Sequence, residues 1–335
     1  MVSIEPPQAL LDASKRLQFD SEFESGNLEA ALYEVSATKA PGEPEALPVE
    51  KYKLFVQTDY NSKGHQQWFN FTVSNLQPDT CYELQIGPFK KKSSKFLEGM
   101  LPWICKVQPG QESGRKPDRP QYETSLASRI VSDVTYAVKK REEASSVSMS
   151  FLTFKLLIKR AEDIIHSPDD QLLIAYSQPY TYSRLLSLLA DLTRTKTAPW
   201  LNLKIGKLCS SLGGIATPLV TFAARTNEAV LSAYQKPIIM ISARVHPGEP
   251  PASFLAEGLL RALLSPRNAG TVERLLNIAE IHVVPMLNPD GVVVGNSRVS
   301  LGGVDMNRRW GADVLNPLVT PEVAVLKDYM KRFQN

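Results

Sequence analysis

His246 and Glu249 stand three residues apart in Ile238-Ile-Met-Ile-Ser-Ala-Arg-Val-His246-Pro-Gly-Glu249, where a β-branched run breaks into a loop just ahead of a helical stretch. An imidazole nitrogen and a carboxylate oxygen at that spacing can face one point in space. That is donor chemistry for zinc, which in a catalytic site takes three protein ligands and leaves a fourth position to water. A second polar group follows. Asn288-Pro-Asp290-Gly291 reads as a turn after an apolar strand and leads to Gly295-Asn-Ser-Arg298, then to Gly303-Val-Asp305-Met-Asn307-Arg308-Arg309-Trp310. Arginines clustered near one strand end suit a carboxylate, because a guanidinium fork grips both oxygens and keeps its charge. Asn307 adds a directed amide donor. The alternative for this loop is that its arginines are solvated, or paired with Asp290 and Asp305.

Two kinds of element must position these residues. Between Asp20 and Phe154, short extended runs such as Tyr52 to Thr58, Trp68 to Val73, Cys81 to Ile86 and Ser148 to Phe154 alternate apolar with polar side chains. Turn residues separate them, which predicts an antiparallel β-sandwich over residues 1–160. The segments 41–48 and 108–121 concentrate Pro, Gly and charge and read as loops. Over residues 161–335, strand-like and helical runs alternate. Strands are expected at 172–176, 218–223, 237–244 and 280–287, and helices at 182–193, 252–264 and 321–333, the order of an α/β domain with a mixed sheet. Ligands of such sheets gather beyond the carboxyl ends of strands, and both His246 and Asn288 follow such ends.

Composition bounds the class. A chain of 335 residues with 43% hydrophobic content can bury two cores. Its apolar stretches are too short or too interrupted to span a bilayer, and Met-Val-Ser-Ile-Glu-Pro-Pro lacks a secretory pattern, so neither a membrane segment nor export is expected. Cys81, Cys105 and Cys209 are odd in number and widely spaced, as reduced cytosolic thiols are. A net charge of +3 is too mild for a nucleic-acid binder, although Lys90-Lys91-Lys92, Arg115-Lys116 and Lys139-Lys140-Arg141 form basic clusters that can steer an acidic polymer. No Gly-rich phosphate loop, CxxC pair or GxSxG elbow occurs, which argues against nucleotide-dependent and serine-hydrolase chemistry. His65 and His166 read as surface histidines, and His282, inside an apolar strand, as a core histidine satisfied by hydrogen bonds.

The succession HPGE, NPDGVVVGNSR and GGVDMNRRW resembles the M14-type zinc metallocarboxypeptidases, and among them the cytosolic carboxypeptidases that trim glutamates from tubulin and other proteins. Phe23-Glu-Ser-Gly-Asn-Leu28, Trp68-Phe-Asn-Phe-Thr-Val-Ser-Asn75 and Tyr176-Ser-Gln-Pro-Tyr-Thr-Tyr182 resemble that subfamily's β-sandwich and the start of its catalytic domain. The resemblance implies zinc as cofactor, with His246 and Glu249 as ligands. It implies that Arg298 polarises the scissile carbonyl while Asn307 and Arg308, with Arg298, bind the substrate's terminal carboxylate. Its substrates would be protein tails rich in glutamate, tubulin-like, in the cytoplasm at microtubules or cilia. Family members also supply a third zinc ligand, a histidine, and then a general-base glutamate downstream of the Asn-Arg pair. No histidine follows His282, and Glu322, Asp313 and Asp328 read as surface carboxylates rather than substitutes. The expectation is therefore an amino-terminal portion of such an enzyme, with an incomplete catalytic domain and reduced or no activity. The competing expectations are a non-catalytic module that docks on acidic tails, and another zinc amidohydrolase on the same scaffold.

Overall fold

The structure, a computed structural model, describes residues 16–34, 49–107, 125–140, 148–159, 165, 167, 169–195, 197–225, 236–311 and 315–333. The expected loops at 41–48 and 108–121, together with His166 and Asp313, lie outside the described residues. Two compact units separate: one reaches Gln57, resumes at Gln66 and ends at Gln178, while the other takes in Thr58–His65 and the chain from Pro179 onward.

The first unit is built from two sheets. One has the order β1 (Gln18–Asp20), β4 (Asn70–Ser74), β9 (Gln171–Ala175), β6 (Trp103–Val107), all antiparallel. The other runs β2 (Ala30–Glu34), β3 (Val49–Phe55), β5 (Thr80–Phe89), β8 (Ser148–Ile158), β7 (Val131–Lys140). Its pairs are antiparallel except β3 with β5, a parallel pair that period-two patterning does not reveal. Alternation in β3 and β8 turns Tyr52, Leu54, Phe154 and Leu156 inward, against Phe71, Ile104, Leu172 and Ile174 of the four-stranded sheet. Side chains from two sheets thus share one core, as in a sandwich. A short helix, α1 (Ala127–Ile130), adds Ala127 and Ile130 to it.

Strand β9 sits inside the first unit's sheet, between β4 and β6, so that unit continues to Gln178 rather than changing near residue 160. Gln171–Ala175 reads equally well as the first strand of the following domain, because a five-residue apolar run fits either sheet. Its partners, Asn70–Val73 and Trp103–Val107, decide the matter.

The second unit opens with α2 (Tyr182–Arg194), whose first turn is capped by Thr181 accepting a bond from the Arg184 N–H. Leu185, Leu188, Leu189 and Leu192 form its buried stripe. A four-stranded sheet follows in the order β10 (Leu201–Ser210), β11 (Ala216–Ala224), β13 (Glu280–Val284), β12 (Ile238–Ser242). Only β12 and β13 are parallel, which makes the sheet mixed. Strand β10, not among the strands expected from the sequence, nonetheless alternates Leu201, Leu203 and Ile205 with Asn202, Lys204 and Gly206. Helices α3 (Pro250–Leu264), α4 (Ala269–Ile278), α5 (Pro289–Val293) and α6 (Pro321–Lys331) complete the unit.

Alternation along the sheet divides two cores. Val220, Phe222, Ile281 and Val283 pack with α2, α3 and α4, whereas Val284 packs with Leu287, Met306 and the α6 residues Val323 and Leu326. Helices pack on both faces of the sheet, β13 lies inside it and β12 at its end, and the parallel register of these two strands sends the loops after Ser242 and Val284 from one edge. No helix among the described residues is long and apolar enough to cross a membrane, and none of the three cysteines forms a disulfide.

Candidate active site

Beyond that edge the two loops stay joined by backbone bonds, Leu287 N–H to the Ala243 carbonyl at 2.9 Å and Asn288 N–H to the Arg244 carbonyl at 3.2 Å. Arg244 is where β12 breaks, with φ of 54° in the left-handed region. Its buried guanidinium donates to the carbonyls of Pro247 (2.8 Å) and Tyr180 (3.1 Å) and to Ser253 Oγ (3.0 Å), bracing the turn before α3. Burial pushes its pKa down to about 9, so it remains charged at neutral pH. From the sequence alone Arg244 is the end of the strand expected at 237–244. The signal available was a basic residue closing an apolar strand two positions before His246.

The braced turn brings His246 Nδ1 to 3.2 Å from Glu249 Oε1. His246 is largely covered, with 11% of its side chain exposed, whereas the Glu249 side chain is 62% exposed and open to a ligand. The other imidazole nitrogen, Nε2, lies 3.1 Å from Asp305 Oδ1. Asp305 Oδ2 accepts a bond from Arg298 Nε at 2.8 Å, and Oδ1 accepts from the Asn307 N–H at 2.9 Å. Burial alone would raise the Asp305 pKa; the bond to His246, the charge of Arg298 and the Asn307 N–H together outweigh it and lower the pKa. The carboxylate thus stays ionised between an imidazole and a guanidinium. Of the two acids named as partners for the arginines, Asp305 takes Arg298, while Asp290 accepts bonds from Ser211 and from the Gly213 N–H at 2.7 Å.

Close backbone approach locks the segments together. A Cβ on Gly248 would lie 2.6 Å from the Ser297 carbonyl oxygen, which accepts the Gly248 N–H at 2.8 Å. A Cβ on Gly291 would lie 2.4 Å from the Pro247 ring. Asn288 closes the arrangement: Oδ1 accepts the Gly291 N–H at 3.0 Å and Nδ2 donates to the Val245 carbonyl at 3.1 Å. Asn307 and Arg308 follow on a short 3-10 turn and are exposed, and Arg308 makes no ion pair among the described residues. Its guanidinium is available to an external carboxylate.

Two other expectations meet different outcomes. His282 is buried, with Nε2 3.0 Å from Glu280 and Nδ1 2.8 Å from the Tyr329 hydroxyl, as a hydrogen-bonded core histidine should be. Glu322 is not the surface carboxylate that its place in the first turn of α6 suggests: it is 1% exposed. Desolvation, with the nearby Asp290 charge, pushes its pKa up to about 7, against the lowering effect of N–H groups including that of Leu212. Its Oε2 has no partner among the described residues. Helical spacing places residue 322 beside Val323 and Leu326, on the side packed against the sheet.

The donor set fits zinc as far as it goes. A nitrogen and a carboxylate oxygen face each other across 3.2 Å, and a second carboxylate holds the imidazole's remaining nitrogen. Among the described residues no group of three or more His, Cys, Asp or Glu is arranged to hold a metal ion.

Residues 203–332 match the Zinc carboxypeptidase family, Peptidase_M14. Cytosolic carboxypeptidase 1 of Mus musculus is 33% identical over 319 residues, which cover 92% of this chain and 23% of that protein. Cytosolic carboxypeptidase 4 of Homo sapiens is 34% identical over 314 residues, covering 92% and 26%. The chain therefore spans about a quarter of the length of the curated relatives it matches. Among solved structures, a metallo-carboxypeptidase from Burkholderia cenocepacia aligns over 94% of this chain and 67% of its own, with a TM-score of 0.60 and 20% identity. One from Pseudomonas aeruginosa aligns over 95% and 67%, with a TM-score of 0.60 and 22% identity. These last likenesses establish a shared fold.

Proposed function

We propose that the protein carrying this chain, whose residues 203–332 match the zinc carboxypeptidase family, removes C-terminal residues, glutamate in particular, from the acidic tails of proteins such as tubulin. The observation that carries this reading is the meeting of His246 and Glu249 at 3.2 Å, with Asp305 behind the imidazole and the Arg308 guanidinium exposed nearby. The names of the relatives support a carboxypeptidase of the cytosolic kind, and a tubulin-tail substrate would place its action at microtubules or cilia.

His246 and Glu249 would be two of the three protein donors to the zinc. A bound zinc would lower the pKa of its water and polarise the scissile carbonyl. Asp305, by holding Nε2–H, keeps the His246 lone pair on Nδ1, the atom that faces Glu249. Arg298 gives only Nε to Asp305, so its terminal N–H groups remain for the negative charge that develops on the carbonyl oxygen. Arg308 and the Asn307 amide would grip the substrate's terminal carboxylate, which places the last peptide bond and excludes internal cleavage. In the first unit Lys90, Lys91 and Lys92 are exposed, a basic cluster of the kind that attracts acidic tails.

The test is release of free glutamate from a glutamate-tailed peptide by the intact protein, before and after removal of zinc by a chelator and its return. Release that zinc restores supports the reading. Saturable binding of the same peptide without release, zinc present, would instead favour the docking module, and release from N-acyl amino acids alone would favour an amidohydrolase.

A further inference from the structure

We infer that Asp59 is a positioning residue for Arg298, a role that rests on the carboxypeptidase reading above. Residues 58–65 belong to the second unit although about 240 positions separate Asp59 from the residues it touches, and they lie outside the 203–332 stretch that matches the family. Asp59 is 2% exposed. Its Oδ1 accepts the Ser297 N–H and the Ser297 hydroxyl, each at 2.7 Å, and its Oδ2 accepts the N–H groups of Arg298 at 2.7 Å and Val299 at 3.0 Å. Three consecutive backbone N–H groups and one hydroxyl therefore converge on a single buried carboxylate. No cation forms an ion pair with Asp59 among the described residues, so its charge is met by these donors alone, a concavity of backbone amides suited to an anion.

The neighbours of Asp59 hold both ends of the same loop. Tyr60 N–H donates to Asn296 Oδ1 at 2.7 Å and Asn61 Nδ2 to the Leu301 carbonyl at 3.0 Å. A Cβ on Gly303 would lie 2.1 Å from the Asn61 carbonyl oxygen, so the segments touch backbone to backbone. From the other side Gly248 N–H holds the Ser297 carbonyl. The peptide units that carry Arg298 are thus gripped on their N–H side by Asp59 and on their C=O side by the turn that presents His246 and Glu249. Arg298 leaves this fixed backbone to reach Asp305, so a loosened loop would misplace the guanidinium relative to the metal ligands. Only a carboxylate serves all four donors: the amide of an Asn turns an NH2 toward N–H groups and leaves at least one of them unsatisfied.

The experiment compares wild type with Asp59→Asn, Arg298→Ala and the double variant in the intact protein. Asp59→Asn is expected to lower kcat on a free-acid glutamate peptide by about tenfold to a hundredfold, with KM changed less than about threefold. Because both changes act through Arg298, the double variant should be no slower than Arg298→Ala. Multiplicative losses, or an unchanged kcat, would overturn the assignment. Amide hydrogen exchange reads the clamp without any turnover: the amides of Ser297, Arg298 and Val299 should lose protection in Asp59→Asn while the strand amides keep theirs. Retained protection overturns the inference even in an active enzyme. An inactive wild type with a lost clamp in the variant overturns the functional reading alone. If Asp59→Asn does not fold, Ser297→Ala removes one of the four donors and should give the same pattern at about twofold to fivefold; no change there counts against Asp59.

Discussion

His246 Nε2 and Asp305 Oδ1 lie 3.1 Å apart, joining a residue at the end of a parallel strand to one 59 positions later in a loop. The same carboxylate reaches Arg298 with its other oxygen. One acid therefore sets the orientation of the His246 imidazole and of the Arg298 guanidinium, so that the two cannot move independently.

Asp305→Asn leaves volume and fold intact but removes the anion. Zinc affinity should fall about tenfold to a hundredfold, read by titration against a competing chelator. His246→Ala should abolish stoichiometric zinc binding in the same assay, and unchanged zinc content would remove His246 from the ligand set.

Arg308→Ala addresses the carboxylate grip. KM for a free-acid peptide should rise about tenfold to a hundredfold, the scale of one charge-assisted bond pair. The C-terminally amidated peptide should respond far less; equal losses on both would assign Arg308 a structural role instead.

Glu322 makes stability depend on pH with a definite sign. Its pKa is pushed up to about 7 in the folded chain from 4.5, so between these values the folded state holds a proton that the unfolded state has lost. Stability from this group is fully present below about pH 4.5, declines as pH rises and is gone above about pH 7, a loss of roughly 3 kcal/mol. Urea midpoints at pH 5 and pH 8 should converge in Glu322→Gln relative to wild type; an identical decline in both chains would mean that another group is responsible.

Gly291→Ala forces a methyl group to within 2.4 Å of the Pro247 ring and 2.8 Å of the Val299 carbonyl. Overpacking at this junction should cost about 1–3 kcal/mol in denaturant unfolding, because backbone rather than a flexible side chain must give way. A neutral substitution would show that the turns are not held in contact.

Much of the architecture was legible in local pattern. Period-two alternation over Tyr52 to Thr58 announces β3, and the helix expected at 182–193 is α2. The pattern failed where a segment's partners, rather than its own residues, set its fate. Gln171–Ala175 joined a sheet through Asn70–Val73 and Trp103–Val107, far upstream, and Glu322 was drawn inside by the α6 face it shares with Val323 and Leu326.

The sequence by itself determined which donors exist and the order in which they come: His246 and Glu249 within one turn, Asn307 and Arg308 adjacent, glycines where backbones must touch. Contacts three residues apart follow from local geometry, so the chain's own spacing settles them. Only the tertiary structure decided that Asp305 stands behind His246, that Arg244 braces the turn from within, and that Asp59 grips the Arg298 loop from about 240 positions away. Those pairings come from parallel strand register and from desolvation, which forces each buried charge to find donors wherever the packed chain brings them.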